Sequence, residues 1–358
     1  MINGYKTMNL TKLKILGICF ASMIILASMI AGFFFFKMDA FLHTPLSSRN
    51  LSIPKSSLDL IPGNIIFTIH PGQGLNRIAA NLEKQGLISS QLLFKLYVQY
   101  KKAGTRLMAG EYQLSTSKTP VELLDMLLKG RVRLYRLTIP EGLNMDEIGT
   151  LVEKAGFCSA SDFLSLCLNF DFIRKLKLNS LSLEGYLYPD TYFFPKHTSC
   201  DQIIRKMVDA FHIIYTQEWL ERTKALGFTV HEIVTLASII EKETGDASER
   251  PLISSVFHNR LKKKMRLESD PTVIYGDKDF DGRIRRRHLQ RKTPYNTYQI
   301  RGLPLGPIAN PGALALQSAL YPDVSEYLFF VSKNDTTHKF SKTFAKHNQA
   351  VRKYQLNR

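Results

Sequence analysis

Residues 229–245 read TVHEIVTLASIIEKETG. Thr229 suits a helix N-cap, and Glu232 three residues on completes a capping box. Gly245 stands where a C′ glycine ends a helix. Ile233, Val234, Leu236, Ala237, Ile239 and Ile240 cover more than one face, so the spacing predicts an enclosed helix. Glu241 comes directly after that apolar run. Burial and the C-terminal helix dipole both disfavour an anion there, and both raise a carboxyl pKa. A carboxyl kept partly protonated near neutral pH is what general acid catalysis requires. The same residues also fit a surface carboxylate in a Glu-Lys-Glu turn.

After this helix a second is expected from Glu249 to Lys264, with Leu252, Val256, Phe257 and Leu261 as its apolar stripe. The chain then turns loop-rich: RLESDPTVIYG, TPYNTY and GLPLGPIANPG. A final helix, Pro311 to Leu320, precedes a strand, Tyr327 to Val331. Loops rich in Tyr, Asn, Asp, Thr and Pro beside two packed helices suit the wall of a binding cleft.

Ahead of residue 213 the pattern occurs twice. Asn64–His70 and Gly110–Leu114 alternate as strands, with helices expected over Leu75–Gln85, Ser90–Lys102 and Thr119–Lys129. Ile78, Leu82, Glu83, Lys84, Gly86 and Leu87 return seventy positions later as Ile148, Val152, Glu153, Lys154, Gly156 and Phe157. Tyr112 before the helix from Thr119 is echoed by Tyr192 before one from Ser199. Two related strand-helix-helix-strand-helix modules are read, at 64–131 and 135–212.

The chain has 358 residues, 44% hydrophobic and 22% charged, which excludes wholesale disorder. Residues 15–36 carry no charged side chain and span about 33 Å as a helix, enough for a bilayer core. Lys6, Lys12 and Lys14 precede the run without an acidic residue, which puts the N-terminus in the cytoplasm. The run ends in four phenylalanines rather than the small residues of a cleavage site, so an uncleaved single-pass anchor is expected. Residues 1–14 are then a cytoplasmic tail, 15–36 the transmembrane helix and 37–63 a linker. Net charge is +17, and residues 260–301 hold thirteen Lys or Arg against five Asp or Glu. On the outer side of a membrane such charge fits an anionic wall polymer or lipid surface, and not nucleic acid. Cys19 lies in the anchor, and Cys158, Cys167 and Cys200 show no disulfide framework. His231-Glu232 starts like a zinc-protease helix, but Thr235 stands where the second histidine would be, so no metal is expected.

Six segments in order resemble one family, the endolytic murein (peptidoglycan) transglycosylases, MltG or YceG-like. They are LEGYLYPDTYFFP (183–195), ASIIEKETG (237–245), VFHNRLKKKMRLESDPTVIYG (256–276), PYNTY (294–298), GLPLGPIANPG (302–312) and HKFSKTFAKHN (338–348). The resemblance implies an α+β protein: an N-terminal transmembrane helix, a LysM-like module over 64–131, a related module over 135–212, and a mixed α+β catalytic core over 213–358. It implies an enzyme of the cell (inner) membrane, its catalytic domain periplasmic or extracytoplasmic, that cuts peptidoglycan glycan strands internally. It also implies that the glutamate opening Glu-Lys-Glu-Thr, Glu241, is catalytic. This chain has His258 where the family has an apolar residue, Leu305 where proline is common, and Asp335-Thr336-Thr337 where glycines are common.

The implied chemistry needs one carboxyl. In lytic cleavage the nucleophile is the C6 hydroxyl of the same N-acetylmuramic acid (MurNAc), so no activated water or second carboxylate is required. One glutamate can protonate the leaving glycosidic oxygen and then accept the hydroxyl proton, leaving a 1,6-anhydro-MurNAc end. Glu243 is the rival, about 200° around the helix from Glu241. Glu184 is expected to be structural or to line the cleft. Substrate-binding candidates are Asn259, Asp270, Thr272, Tyr275, Tyr295, Asn296, Tyr298, Asn310 and His338. Asn259 and Asn310 equally suit backbone capping, and Asp270 before Pro271 a turn. No cofactor is implied. Peptidoglycan synthases and division or elongation proteins are the expected protein partners, and the first module either binds glycan or sets the height of the catalytic domain. A reading from another class is a non-catalytic peptidoglycan-binding scaffold of the growth and division machinery.

Overall fold

The computed structural model describes residues 10–48, 64–277 and 279–356. The expected tail up to residue 9, and residues 49–63 of the expected linker, lie outside the described residues. The fold is mixed α+β, and the chain divides into two compact units, Met1–Leu134 and Tyr135–Arg358.

The first unit begins with helix α1, Leu10–His43. Its stretch Leu16–His43 contains a window of mean hydropathy 2.4, none of it buried, and is long enough to cross a membrane. The helix runs past Phe36, where the apolar run ends. Phe41 is 2% exposed and joins the unit's core, with Met38 and Leu42 packed against it. Strand β1, Ile65–Ile69, pairs antiparallel with β2, Gly110–Leu114, in the register Ile65↔Leu114 to Ile69↔Gly110. Between them lie α2, Leu75–Lys84, and α3, Gln91–Tyr100; α4, Pro120–Leu128, comes after β2. Phe67, Ile69, Ile78, Leu82, Phe94, Val98, Tyr112 and Leu127 fill this core.

The second unit opens with a similar order of elements, with one short helix added between its strands. Strand β3, Leu134–Thr138, pairs with β4, Thr191–Pro195. Helices α5, Met145–Lys154, α6, Ala160–Cys167, and the short α7, Phe170–Lys175, lie between the strands, and α8, Cys200–Ile214, comes after them. The parallel extends to atoms. Tyr112 donates its hydroxyl to Met108 O at 2.7 Å, and Tyr192 donates to Tyr188 O at 2.6 Å. Gly86 and Gly156, after the matched helices, both take left-handed φ (+67° and +78°), which a side chain resists. Residues 135–212 nonetheless share one apolar core, from Leu137 to Leu320, with the helices C-terminal to them.

The rest of the unit comprises α9, Gln217–Ala225, α10, Val230–Glu243, α11, Arg250–Lys262, the short α12, Pro271–Ile274, and α13, Arg286–Gln290. Then come α14, Ala313–Leu320, the antiparallel hairpin of β5, Phe329–Ser332, and β6, His338–Ser341, and α15, Phe344–Val351. Helix α10 is the enclosed helix of residues 229–245. Ile233, Val234, Leu236, Ala237, Ile239 and Ile240 are all 0% exposed, and α10 packs on α14 and α11. The capping box forms: Glu232 N donates to Thr229 Oγ1 at 3.2 Å, and Thr229 N to Glu232 Oε2 at 2.7 Å. The glycine stop does not. The helix ends at Thr244 in extended conformation (φ −142°), and Gly245 keeps a φ open to any residue. Asp246 N donates to the Thr244 hydroxyl, and Asp246 caps the turn Ala247–Glu249 that leads into α11. His258, in an otherwise apolar position, pairs Nε2 with Ala319 O at 2.9 Å.

The cysteine reading needs one correction. Cys158 and Cys200 form a disulfide, while Cys167 is a buried free thiol. The partners lie 42 residues apart, and the packing of α6 on α8 brings their neighbourhoods together, so no spacing rule marks them. Closing such a loop restricts the unfolded chain by about 2–4 kcal/mol. Reduction, or Cys200→Ser, is expected to lower unfolding stability by that amount in denaturant titrations, and the variant should show no further response to reductant.

Candidate active site

The last turn of α10 and the following turn to Arg250 place three glutamates within nine residues, and the fold gives each a different neighbourhood. Glu241 is enclosed, its side chain 5% exposed. Arg250 Nη2 donates to its Oε1 at 2.7 Å, and Gly312 N, at the N-terminus of α14, donates to its Oε2 at 3.0 Å. A Cβ at Gly312 would overlap the Glu141 carboxylate, so the backbone approach needs glycine. Burial pushes the Glu241 carboxyl upward, while the Gly312 N–H and the Arg250 charge oppose it. Both oxygens already accept strong bonds, and protonation would forfeit one of them.

Glu243 points elsewhere, as its rotation around the helix requires. Ser269 Oγ donates to its Oε1, and Oε2 makes no hydrogen bond among the described residues. Burial pushes this carboxyl up to about 7; the Ser269 bond opposes the shift, and the nearby negative charge of Asp270 adds to it. Ser269 is itself fixed. Its N–H donates to Thr297 Oγ1 at 2.9 Å, Thr272 Oγ1 donates to its carbonyl at 2.6 Å, and the two threonine hydroxyls meet at 2.8 Å. The SDPT and NTY segments are therefore clasped together behind the Glu243 carboxyl. Glu243 lines a cleft of about 600 Å³ with Thr244, Asp246, Ser332, Thr336 and His338. Glu241 does not line it. A carboxyl raised toward neutrality in the wall of a cleft is suited to proton donation, and Glu243 has that arrangement. On this geometry Glu243 is better placed to carry the chemistry than Glu241, to which the family likeness points. That likeness marks the Glu-Lys-Glu turn, and only packing separates its two acids.

A second cleft, of about 580 Å³, lies by Lys242 and is lined by Asn144, Asp146, Pro271, Tyr275 and Phe280, among others. Tyr275 reaches from it to Glu184, donating to Oε2 at 2.8 Å. Glu184 is 2% exposed and is raised to about 7 by burial, against hydrogen bonds from Tyr275, Met145 N and Asn310.

The other expected substrate contacts fall into two groups. Asn310 is 0% exposed: its Oδ1 accepts from Gly185 N and Leu187 N, both at 2.9 Å, and its Nδ2 donates to Leu143 O and Glu184. Asn296 donates to three carbonyls of residues 288–291 and accepts from Tyr298 N. Asn259 holds the Ser325 and Tyr327 carbonyls that lead into β5, and Thr272 belongs to the threonine clasp. These four are framework. Asp270 is exposed and accepts from Tyr298 OH at 2.6 Å, Tyr295 stacks obliquely on Tyr275 at 4.7 Å, and His338 stands in the wall of the Glu243 cleft. Sequence reasoning passed over Ser269, Glu249 and Arg250; the serine before Asp-Pro and the Ser-Glu-Arg triplet after the Glu-Lys-Glu turn were the available signals.

The departure at Asp335–Thr337 has a local consequence. Asn334 and Thr336 take φ of +65° and +71°, where glycine is at ease and a β-branched residue is strained. Thr336→Gly is expected to raise stability by about 1 kcal/mol, read as a higher melting temperature.

A model of the YceG-like family matches residues 67–353. The chain is 34% identical over 304 residues to a Bacillus subtilis (strain 168) protein named endolytic murein transglycosylase, covering 80% of this chain and 84% of that one. A protein of the same name from Streptococcus pneumoniae serotype 2 (strain D39 / NCTC 7466) is 32% identical over 295 residues, covering 74% of this chain and 53% of that longer one. A YceG-like protein from Listeria monocytogenes, known as a crystal structure at 2.6 Å, aligns with a TM-score of 0.57 and 33% identity, over 80% of this chain and 98% of that one.

Proposed function

The chain belongs to the YceG-like family, and from that membership and the cleft at Glu243 we propose that it is an endolytic murein transglycosylase. The bond cut is that between MurNAc and N-acetylglucosamine inside a peptidoglycan glycan strand. Glu243, protonated, gives its proton to the leaving glycosidic oxygen. The C6 hydroxyl of MurNAc then closes on C1, and the new end is 1,6-anhydro-MurNAc. The observation that carries this reading is the Glu243 carboxyl itself: raised to about 7, anchored by Ser269 through one oxygen, and belonging to a residue in the wall of the cleft. The other carboxylate of that wall, Asp246, is committed to Ser248 N and Oγ and held below its usual range, which favours intramolecular attack over a two-carboxylate hydrolysis.

Helix α1 anchors the chain in the cell membrane as a single pass, with the N-terminus cytoplasmic and the residues after the helix outside. The lysines before it and the Cys158–Cys200 disulfide, a bond of oxidising compartments, support that orientation. The first unit's two-stranded sheet with flanking helices supports a LysM-like module facing glycan, and peptidoglycan synthases are the partners this placement suits.

The test uses the full-length chain in detergent with uncrosslinked glycan strands, the products weighed by mass spectrometry. Internal fragments lighter by one water than hydrolysis products are expected. Fragments with free reducing ends would overturn the lytic step, and intact strands would leave a wall-binding scaffold.

A further inference from the structure

His338 also lines the Glu243 cleft. Glu249, at the end of the turn after α10, grips His338, the first residue of β6, twice. His338 N donates to Oε1 at 3.0 Å, and Nδ1 lies 2.6 Å from Oε2. A carboxylate only accepts, so Nδ1 carries the hydrogen and the neutral ring keeps its lone pair on Nε2. Nε2 makes no hydrogen bond among the described residues. The ring is further fixed edge-on to Phe330 at 5.5 Å, and its side chain is 10% exposed. A purely structural clasp between β6 and α11 is already supplied by the backbone N–H. The ring bond adds something else: it sets the tautomer and the plane of an imidazole in the wall of the cleft that holds the raised carboxyl. Nucleophile activation elsewhere uses this same chain of carboxylate, imidazole and hydroxyl.

We propose that His338 is a catalytic base and Glu249 its positioning residue, a role that rests on the transglycosylase reading above. As the C1–O4 bond breaks, O4 keeps the electron pair and takes the proton of Glu243. O6 of the same MurNAc bonds to C1 and loses its proton to His338 Nε2, and the Glu249 carboxylate stabilises the imidazolium. The turnover leaves Glu243 ionised and His338 protonated, and solvent exchange of one proton resets both. The chemistry is divided between two groups, so the carboxyl need not change roles while the anhydro ring closes.

The experiment compares full-length His338→Asn, His338→Gly, Glu249→Gln and Glu243→Gln on uncrosslinked glycan strands. An asparagine amide can occupy the Nδ1 position and keep the Glu249 bond, so His338→Asn tests Nε2 alone. It is expected to lower kcat about 100-fold with KM nearly unchanged and the melting temperature held. Added imidazole is expected to restore part of the turnover of His338→Gly and none of that of Glu243→Gln. Glu249→Gln lowers kcat less than His338→Asn. Wild-type kcat in His338→Asn, or a loss confined to KM, overturns the base. Absence of cleavage by the wild-type chain overturns the transglycosylase reading and the base with it.

Discussion

Glu243→Gln is expected to lower glycan cleavage by about 100- to 10,000-fold while leaving the chain as stable as before or more so. The amide oxygen of glutamine can still accept from Ser269 Oγ, so the threonine clasp behind it is undisturbed. What is lost is the transferable proton. At pH 7 an ordinary glutamate, with a pKa of about 4.3, is almost wholly ionised, whereas a carboxyl at about 7 is half protonated. The wild-type rate should therefore fall as pH climbs through about 7. Stability moves with the same group. A carboxyl raised in the folded chain favours folding in its protonated form; that contribution is whole below about 4.5 and is lost as pH rises through about 7. The glutamine variant escapes the loss and should melt higher than the wild type at pH 8. Inactivity combined with unchanged or greater stability cannot be ascribed to unfolding. Retained cleavage in this variant would remove Glu243 from the chemistry.

The sequence reading and the structure agree where local rules decide. Thr229 and Glu232 announce the start of α10, and the spacing of Ile233 to Ile240 announces its burial. The repeated Glu-Lys-x-Gly endings announce two helices closed by left-handed glycines. The alternation around Phe67 and Tyr112 gives the first sheet. Agreement ends where distant segments meet. Nothing adjacent to Glu243 in the chain foretells Ser269, 26 residues on, or His338 in the same cleft. Asn310 looks like a saccharide ligand by type and loop, yet it spends every polar atom joining residues 143, 184, 185 and 187. A polar side chain is read as a ligand or as a brace only once its partners are known, and those partners are non-local. The same limit applies to the two acids of the Glu-Lys-Glu turn: periodicity separates their directions, and only the fold says which direction opens on a cleft.

Glu241→Ala and Arg250→Ala are each expected to lower stability by about 3–5 kcal/mol, a fall in melting temperature on the order of 10 °C for a unit of this size. The pair is buried on both sides, 5% and 8% exposed, with the guanidinium nitrogen 2.7 Å from the carboxylate. Removing either partner strands a charge that has given up its water. Arg250 is poorly placed to recover: Nε is buried and has no hydrogen-bond partner among the described residues, and another carboxylate, Glu141, stands 3.8 Å away. Losing Glu241 also frees Gly312 N at the head of α14, and so loosens the contact between α10 and α14. The two changes should not add. In Glu241→Leu/Arg250→Met both charges leave together and apolar volume replaces them, so the double variant should be more stable than either single one. The same measurement separates the two glutamates. Glu241→Gln keeps one accepting oxygen, for either Gly312 N or Arg250, and so costs less stability than Glu241→Ala; it should retain cleavage within about tenfold of wild type, a smaller loss than removal of an acid costs. If Glu241→Gln instead abolished cleavage at an unchanged melting temperature, Glu241 would be the acid and its ion pair with Arg250 part of the mechanism.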